Sequence, residues 1–201
     1  MRRLLSSLLL ALAVSTNAHA GDYSGTDKGT VVIGIGAIGN KLDGYAVYYR
    51  VAGQNSSGLF GDARFRFQPD ALFSPKPDFV GKDAMHETGE VQIVHLRPGN
   101  YEIFKVDLSS SNGFTNAWLT SKEFSIPFVV RTGETTYIGD YSGVGTPLGY
   151  GRMNGYFVLS DQHDRDIPIA KTKEHDLMPV TVSVPDPAVL GIPVIRSKAN
   201  F

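Results

Sequence analysis

The chain contains no cysteine and a single tryptophan, and these two scarcities already narrow what the protein can be. Without cysteine there are no disulfides, no thiolate ligands for zinc, and no cysteine nucleophile. The hydrophobic core alone must therefore hold the fold, and 201 residues with 42% hydrophobic and 19% charged side chains are enough to build one. The same composition excludes a coiled coil, a collagen-like repeat and a disordered polymer.

Long apolar runs are also scarce, and the one that stands out lies near the N-terminus. Leu4–Val14 follows two arginines and precedes Ala18-His19-Ala20. This order is typical of a secretory signal peptide that is cleaved after its last alanine. The run has about half of the ~20 residues that a membrane span needs, so no span is expected. The sequence predicts a signal peptide over residues 1–20 and a periplasmic or extracellular product.

An excess of charge of one sign is missing as well. The chain has 19 basic and 20 acidic residues, and removal of residues 1–20 leaves 17 basic residues against the same 20 acids. Proteins that bind nucleic acid usually carry a basic patch or a strong positive excess. The balance here favours neither nucleic acid nor an anionic membrane surface as a partner.

What the sequence does contain is a series of short apolar or alternating segments separated by turns rich in glycine and proline. The clearest unit is Glu90–Leu96, then Arg97-Pro98-Gly99-Asn100, then Tyr101–Leu108, which predicts a hairpin of two strands. Strand patterns without alternating helices favour an antiparallel architecture over an α/β sheet. We therefore expect a mainly β protein, with a single antiparallel β-sandwich of about eight strands over residues 21–201.

The last third of this domain contains its one helix candidate and an extended tail. Asp164–Lys173 has a buried side suited to a helix, and Pro168 limits the prediction to one or two turns. The segment from 185 to 201 carries three prolines and predicts a strap laid on the surface.

Two segments resemble a known family of β-sandwich domains. Leu96–Glu102 reads L-R-P-G-N-Y-E, and Phe128–Gly139 contains G-E-T-T-Y-I-G. Both are similar to motifs of transthyretin-like and carboxypeptidase-regulatory-like domains, and such pairs also occur in secreted bacterial domains of unknown function. In such a turn Pro98 and Gly99 set the bend, and the hydroxyl of Tyr101 bonds back to upstream backbone. The resemblance implies a binding, adhesive or structural module and transfers no catalytic residue.

Catalytic motifs are not apparent. The chain has no G-x-S-x-G and no S-x-x-K pattern. Gly34–Gly39 fits G-x-G-x-x-G, but a turn and a strand follow it where a dinucleotide site requires a helix. We therefore expect no cofactor and no enzymatic activity.

Carboxylates and histidines are densest near the helix candidate. Oxygen ligands for Ca²⁺ or nitrogen ligands for zinc could come from this region. The alternative is that the acids cap the helix, with Arg165 and Asp166 forming an ion pair with a nearby strand. The candidate metal ligands are Asp161, Asp164, Asp166 and His175.

Three aromatic residues are candidates for a ligand platform. Trp118 lies in a segment rich in Ser, Asn, Gly and Thr, which predicts a loop, and Tyr150 and Tyr156 lie in the predicted strand Tyr150–Ser160. Flat aromatic faces provide contact area at small entropic cost. The alternative is that Trp118 folds down as a lid over an open end of the sandwich.

Two functions remain open at this point. The first is a non-catalytic module that binds an envelope partner or supports an envelope structure through loops and edge strands. The second is a carbohydrate- or metal-binding module that uses Trp118 or the loop from Asp161 to Asp166. The partner is accordingly an envelope protein or a glycan, and the sequence leaves the oligomeric state open.

Overall fold

A computed structural model of the chain describes most of the predicted domain. The predicted signal peptide at 1–20 lies outside the described residues, and so does most of the predicted strap. The described ranges are 22–39, 42–55, 62–69, 76–81, 86–111, 116–177, 179–185 and 194–196.

The described residues form twelve strands and one helix. The strands, in chain order, are β1 (Gly29–Ile38), β2 (Gly44–Val51), β3 (Ala63–Phe67), β4 (Phe79–Val80), β5 (Glu87–Leu96), β6 (Gly99–Ser111), β7 (Asn116–Thr120), β8 (Ile126–Val130), β9 (Thr135–Gly149), β10 (Arg152–Ser160), β11 (Val180–Val182) and β12 (Val194–Arg196), and the helix is α1 (His163–Lys173).

The strands form two sheets that pack as a sandwich, so the predicted fold class is confirmed. The first sheet has the order β12-β10-β9-β1-β5-β4, with β11 also paired to β9, and the second has the order β3-β2-β6-β7, with β8 paired to β6. The prediction of a wholly antiparallel sandwich was wrong in one respect. β9 pairs in parallel with β1 and with β11. The sandwich also has more strands than the predicted eight, because β7 and β12 lie in segments that were expected to be a loop and a surface strap, and the two-residue β4 is too short for a sequence pattern.

The hairpin predicted over Glu90–Leu108 is instead a connection that crosses from one sheet to the other. β5 belongs to the first sheet and β6 to the second, so the turn after Leu96 carries the chain across the sandwich. β8 and β9 are divided in the same way. The hydroxyl of Tyr101 donates a 3.0 Å hydrogen bond to the carbonyl oxygen of Arg97, the bond that the sequence predicts at this corner. Local sequence therefore indicated the turn, but not which strands pair.

The core lies between the inward faces of the two sheets. On β1 the inward residues alternate with outward ones, and Val31, Ile33 and Ile35 are fully buried. From the opposite sheet, Val106 and Leu108 pack into the same cluster. Burial of such aliphatic side chains stabilises the fold by about 1.5–3 kcal/mol each.

A second, smaller core lies between the outer face of the first sheet and α1. Val32, Val91 and Tyr137 on the strands contact Ala170 of the helix. The helix has eleven residues and continues through Pro168, which corrects the expected one or two turns. Packing against the sheet offsets the one backbone hydrogen bond that proline removes. No helix in the described ranges is long and apolar enough to cross a membrane.

Part of the predicted strap is a strand rather than a surface layer. Val194–Arg196 forms β12 and pairs in antiparallel fashion with Asn154–Tyr156 of β10. The remaining residues of the strap, apart from Pro185, lie outside the described ranges.

Candidate functional site

The site begins with two strands that meet where the two sheets approach each other. β7 is the last strand of the second sheet, and β10 lies near the end of the first. A Cβ built on Gly151 would lie 3.4 Å from the carbonyl oxygen of Asn116, and one on Gly155 would lie 3.3 Å from Cδ2 of Leu119. β7 and β10 therefore run side by side, with Gly155 leaving room for the close approach.

Three large aromatic side chains are exposed at this junction. The exposed fraction is 64% for Trp118, 95% for Tyr150 and 41% for Tyr156. Trp118 lies in β7 rather than in the predicted loop, and its buried neighbours Ala117 and Leu119 hold it facing outward. The alternative in which the indole closes an end of the sandwich is not observed.

Tyr150 has a backbone conformation that its residue type disfavours. It occupies the two-residue turn between β9 and β10, with φ of 52°, and Gly151 follows with φ of 73°. Positive φ at both central positions is what a type I′ hairpin turn requires, and Asn, Asp or Gly usually supplies it. A tyrosine here costs about 1 kcal/mol or more and gains almost nothing from burial. A residue that is strained and exposed at once points to a role outside folding.

The polar groups around the three rings carry no negative charge. The outward positions of β7 and β10 present the amides of Asn116 and Asn154 and the guanidinium of Arg152, all exposed. Neither 116–120 nor 144–156 contains an Asp or Glu. We call this surface the aromatic edge, and its residues are Asn116, Trp118, Tyr150, Arg152, Asn154 and Tyr156.

The predicted metal ligands are dispersed. Asp161 pairs with His163, whose Nδ1 lies 2.8 Å from Oδ1 of the aspartate. The side chain of Asp164 is 97% exposed, His175 is exposed, and Asp166 is fully buried. Within the described ranges, no group of three or more His, Asp or Glu residues is placed to hold a metal ion. The geometry gives the metal hypothesis no support.

Asp166 belongs instead to a buried ion cluster beneath α1. Arg165 Nε lies 2.7 Å from Oδ1 of Asp166, and Nη1 lies 3.1 Å from Oε2 of Glu87. Nη2 is 3.0 Å from Oδ1 of Asp140, without the alignment of a hydrogen bond. The guanidinium also lies 3.6 Å above the ring centroid of Phe79. The alternative that Arg165 and Asp166 pair with nearby strands is therefore confirmed.

Two hydroxyls complete this cluster. Tyr137 donates a 2.7 Å hydrogen bond to Oδ2 of Asp166. Ser142 Oγ lies 2.7 Å from Oε1 of Glu87 and 3.1 Å from Oδ2 of Asp140, yet a serine has one hydrogen to donate. Both contacts are hydrogen bonds only when one of the two carboxyl groups carries a proton. Burial, together with the neighbouring Glu87, raises the pKa of Asp140 to about 8, which agrees with that geometry.

Glu87, Asp140 and Asp166 contact Arg165 and the two hydroxyls, so the cluster holds α1 on the sheet.

Glu87 and Asp140 were not among the residues selected from the sequence. A signal for Asp140 was present, since a lone carboxylate in the middle of a buried strand requires a partner. No local sequence pattern indicates the role of Glu87, because it lies 78 positions before its partner Arg165.

Comparison with known proteins adds little to this picture. No family profile and no curated protein matches the chain. Among solved structures, a leucine-rich repeat protein from Bacteroides thetaiotaomicron is similar over 57% of this chain, with 14% identity and a TM-score of 0.34. The match spans 14% of that protein's chain. At that TM-score the likeness carries no argument, and the resemblance to transthyretin-like domains stays a prediction.

Proposed function

We propose that this chain is a non-catalytic binding module of the bacterial envelope or exterior, and that the aromatic edge holds its ligand. The observation that carries the proposal is the exposure of three large rings where β7 approaches β10: Trp118 on β7, Tyr150 in the turn before β10, and Tyr156 on β10. Exposed aromatic clusters of this kind mark binding surfaces, because large rings gain stability from burial and are rarely left in water without a use.

Two further features support this assignment. The positive φ of Tyr150 places an exposed ring where folding favours a small residue. The carboxyl groups beneath α1 would otherwise be the first candidates for acid–base chemistry, but all three lie within ion-pair distance of Arg165. The secretory destination rests on the signal-peptide pattern of residues 1–20.

The single tryptophan makes the proposal directly testable. Trp118 is the only indole in the chain, so its fluorescence reports on the aromatic edge alone. A ligand that covers it is expected to shield the indole from acrylamide quenching and to raise thermal stability. At 100 times its dissociation constant, the ligand contributes about 2.7 kcal/mol. The panel consists of envelope glycans and tryptophan-free peptides and proteins.

A pair of variants separates the site from the rest of the surface. Tyr150→Ala keeps the fluorescent reporter and removes a ring, so it is expected to weaken binding. Val80→Ala is the matched control, because Val80 is 61% exposed on β4 at the opposite end of the first sheet. Binding that Tyr150→Ala and Trp118→Ala leave unchanged, or the absence of any ligand across the panel, contradicts the proposal.

A further inference from the structure

We infer that the aromatic edge recognises an acidic glycan, with its rings against sugar faces and Arg152 on a sugar carboxylate. This inference rests on the proposed function, because it names the ligand of the same surface.

The rings and amides suit a polyhydroxylated ligand. An aromatic face offers flat apolar contact area of about 150–250 Å² when fully covered, which matches the C–H face of a pyranose ring. Asn116 is two residues before Trp118 on β7, Asn154 is two residues before Tyr156 on β10, and both are exposed. Each amide offers two donors and an acceptor oxygen, the combination that a sugar hydroxyl needs.

The guanidinium of Arg152 is expected to make the aromatic edge prefer a negatively charged ligand. Arg50 and Arg165 are held in ion pairs, Arg50 with Glu102 and Arg165 with the carboxyl groups of Glu87, Asp140 and Asp166. In the described part of the chain, no carboxylate lies within ion-pair distance of Arg152. A free guanidinium binds a carboxylate through two parallel hydrogen bonds. Because residues 21–201 carry a net negative charge, general attraction to polyanions would not substitute for this contact.

The surroundings of β10 disfavour a protein strand as its occupant. Addition of a strand requires an open sheet edge, and β12 already covers β10 at Asn154–Tyr156, whereas one side of β7 is unpaired among the described strands, so strand addition at β7 is the competing outcome that the test must detect. The other side of β10 pairs with β9. Three partly exposed rings also fall short of the roughly 800 Å² that each partner buries in a standard protein interface. A glycan needs neither a free edge nor so large an area.

The test uses the full chain and two polymers that differ only in charge. Polygalacturonate carries a carboxylate on each sugar, and its full methyl ester keeps the backbone without the charge. We expect polygalacturonate to shield Trp118 from acrylamide and to bind at least about tenfold more tightly than the ester, since one charge-assisted contact is worth about that factor. Arg152→Gln is expected to remove this preference while leaving the weaker binding of the ester intact.

Arg66→Gln is the matched control, because Arg66 is also exposed and lies on β3, at the opposite edge of its sheet from β7. It is expected to change either affinity by less than about twofold. Trp118→Ala lacks the fluorescent reporter, so its binding is read from the shift in thermal unfolding, and it is expected to abolish binding of both polymers. Far-ultraviolet circular dichroism of each variant verifies that the fold is retained.

The outcomes distinguish a failure of the acidic-glycan inference from a failure of the proposed binding function. Equal affinity for the two polymers, or a preference that Arg152→Gln leaves intact, overturns the acidic-glycan inference while the binding role of the aromatic edge stands. So does protection of Trp118 by a tryptophan-free protein but by neither polymer. Binding that persists in both Trp118→Ala and Tyr150→Ala overturns the inference and the proposed function together.

Discussion

Nη1 of Arg165 lies 3.1 Å from Oε2 of Glu87, which joins the first turn of α1 to the first residue of β5. The same guanidinium reaches Asp140 in β9, so one side chain ties the helix to two strands of the sheet. This arrangement places three carboxyl groups around a single positive charge, with a proton on Asp140 below about pH 8, and the stability of the helix on the sheet depends on that balance.

Removal of Arg165 is expected to be strongly destabilising. Arg165→Met leaves Glu87, Asp140 and Asp166 facing one another without a counter-charge, and breaking a buried ion pair in this way costs about 3–5 kcal/mol. Urea denaturation monitored by circular dichroism measures the loss. Arg66→Met, at an exposed arginine, is the control and is expected to stay within about 0.5 kcal/mol. A loss below about 1 kcal/mol for Arg165→Met would show that the cluster is not needed to hold α1.

Stability is expected to decline as the pH rises toward the pKa of Asp140. Burial raises that pKa to about 8, whereas an unfolded aspartate titrates near 4. Between these values the folded state binds a proton that the unfolded state releases. The resulting stabilisation is therefore complete below about pH 4 and is lost by about pH 8. The pKa of Asp166 is also raised by burial, so its contribution has the same sign.

Asp140→Asn tests this assignment, because an amide mimics the protonated acid. We expect the free energy of unfolding of the variant to change less between pH 5 and pH 9 than that of the native chain. Asp176→Asn, at an exposed carboxylate, should keep the native profile. If Asp140→Asn retains the full decline, the proton is held elsewhere.

The fold was predictable where the signal is local. Apolar and charged residues alternate in Ala63–Phe67, which indicates a strand, and the structure has one there with Phe65 and Phe67 buried. The Pro-Gly pair likewise indicates the corner after Leu96. The pairing of strands was not predictable in the same way. The parallel ladder between β1 and β9 joins residues about a hundred positions apart, and no local pattern records such a partner.

The candidate site was predicted in its residues but not in its arrangement. Trp118, Tyr150 and Tyr156 were selected as aromatic residues, although the composition of the preceding segment placed Trp118 in a loop. Its own alternation with Ala117 and Leu119 was the better signal, since period two indicates a strand with one face in water. The same alternation puts Asn116 on the exposed face with Trp118, but Arg152 could not have been linked to it, because that proximity depends on how β7 meets β10.

Gly34 is expected to tolerate no side chain. A Cβ at this position would lie 2.5 Å from both Oδ1 of Asp140 and Oδ2 of Asp166, which Arg165 holds in place. Gly34→Ala should therefore cost about 1–3 kcal/mol, the usual range for overpacking. Gly99→Ala is the control, since the nearest atom to its Cβ is 3.6 Å away. Thermal unfolding of both variants decides the matter, and equal midpoints would contradict the expected clash.

Tyr150 allows function and stability to be separated in one substitution. Asn adopts positive φ more readily than Tyr, and the 95% exposed ring loses almost no packing when it is removed. We expect Tyr150→Asn to match or exceed the native stability by up to about 1 kcal/mol, while the ligand protects Trp118 less well from acrylamide. Urea denaturation and quenching on the same sample give both quantities. A variant that is clearly less stable would assign Tyr150 to the fold, and the strain at this turn would no longer favour a binding role.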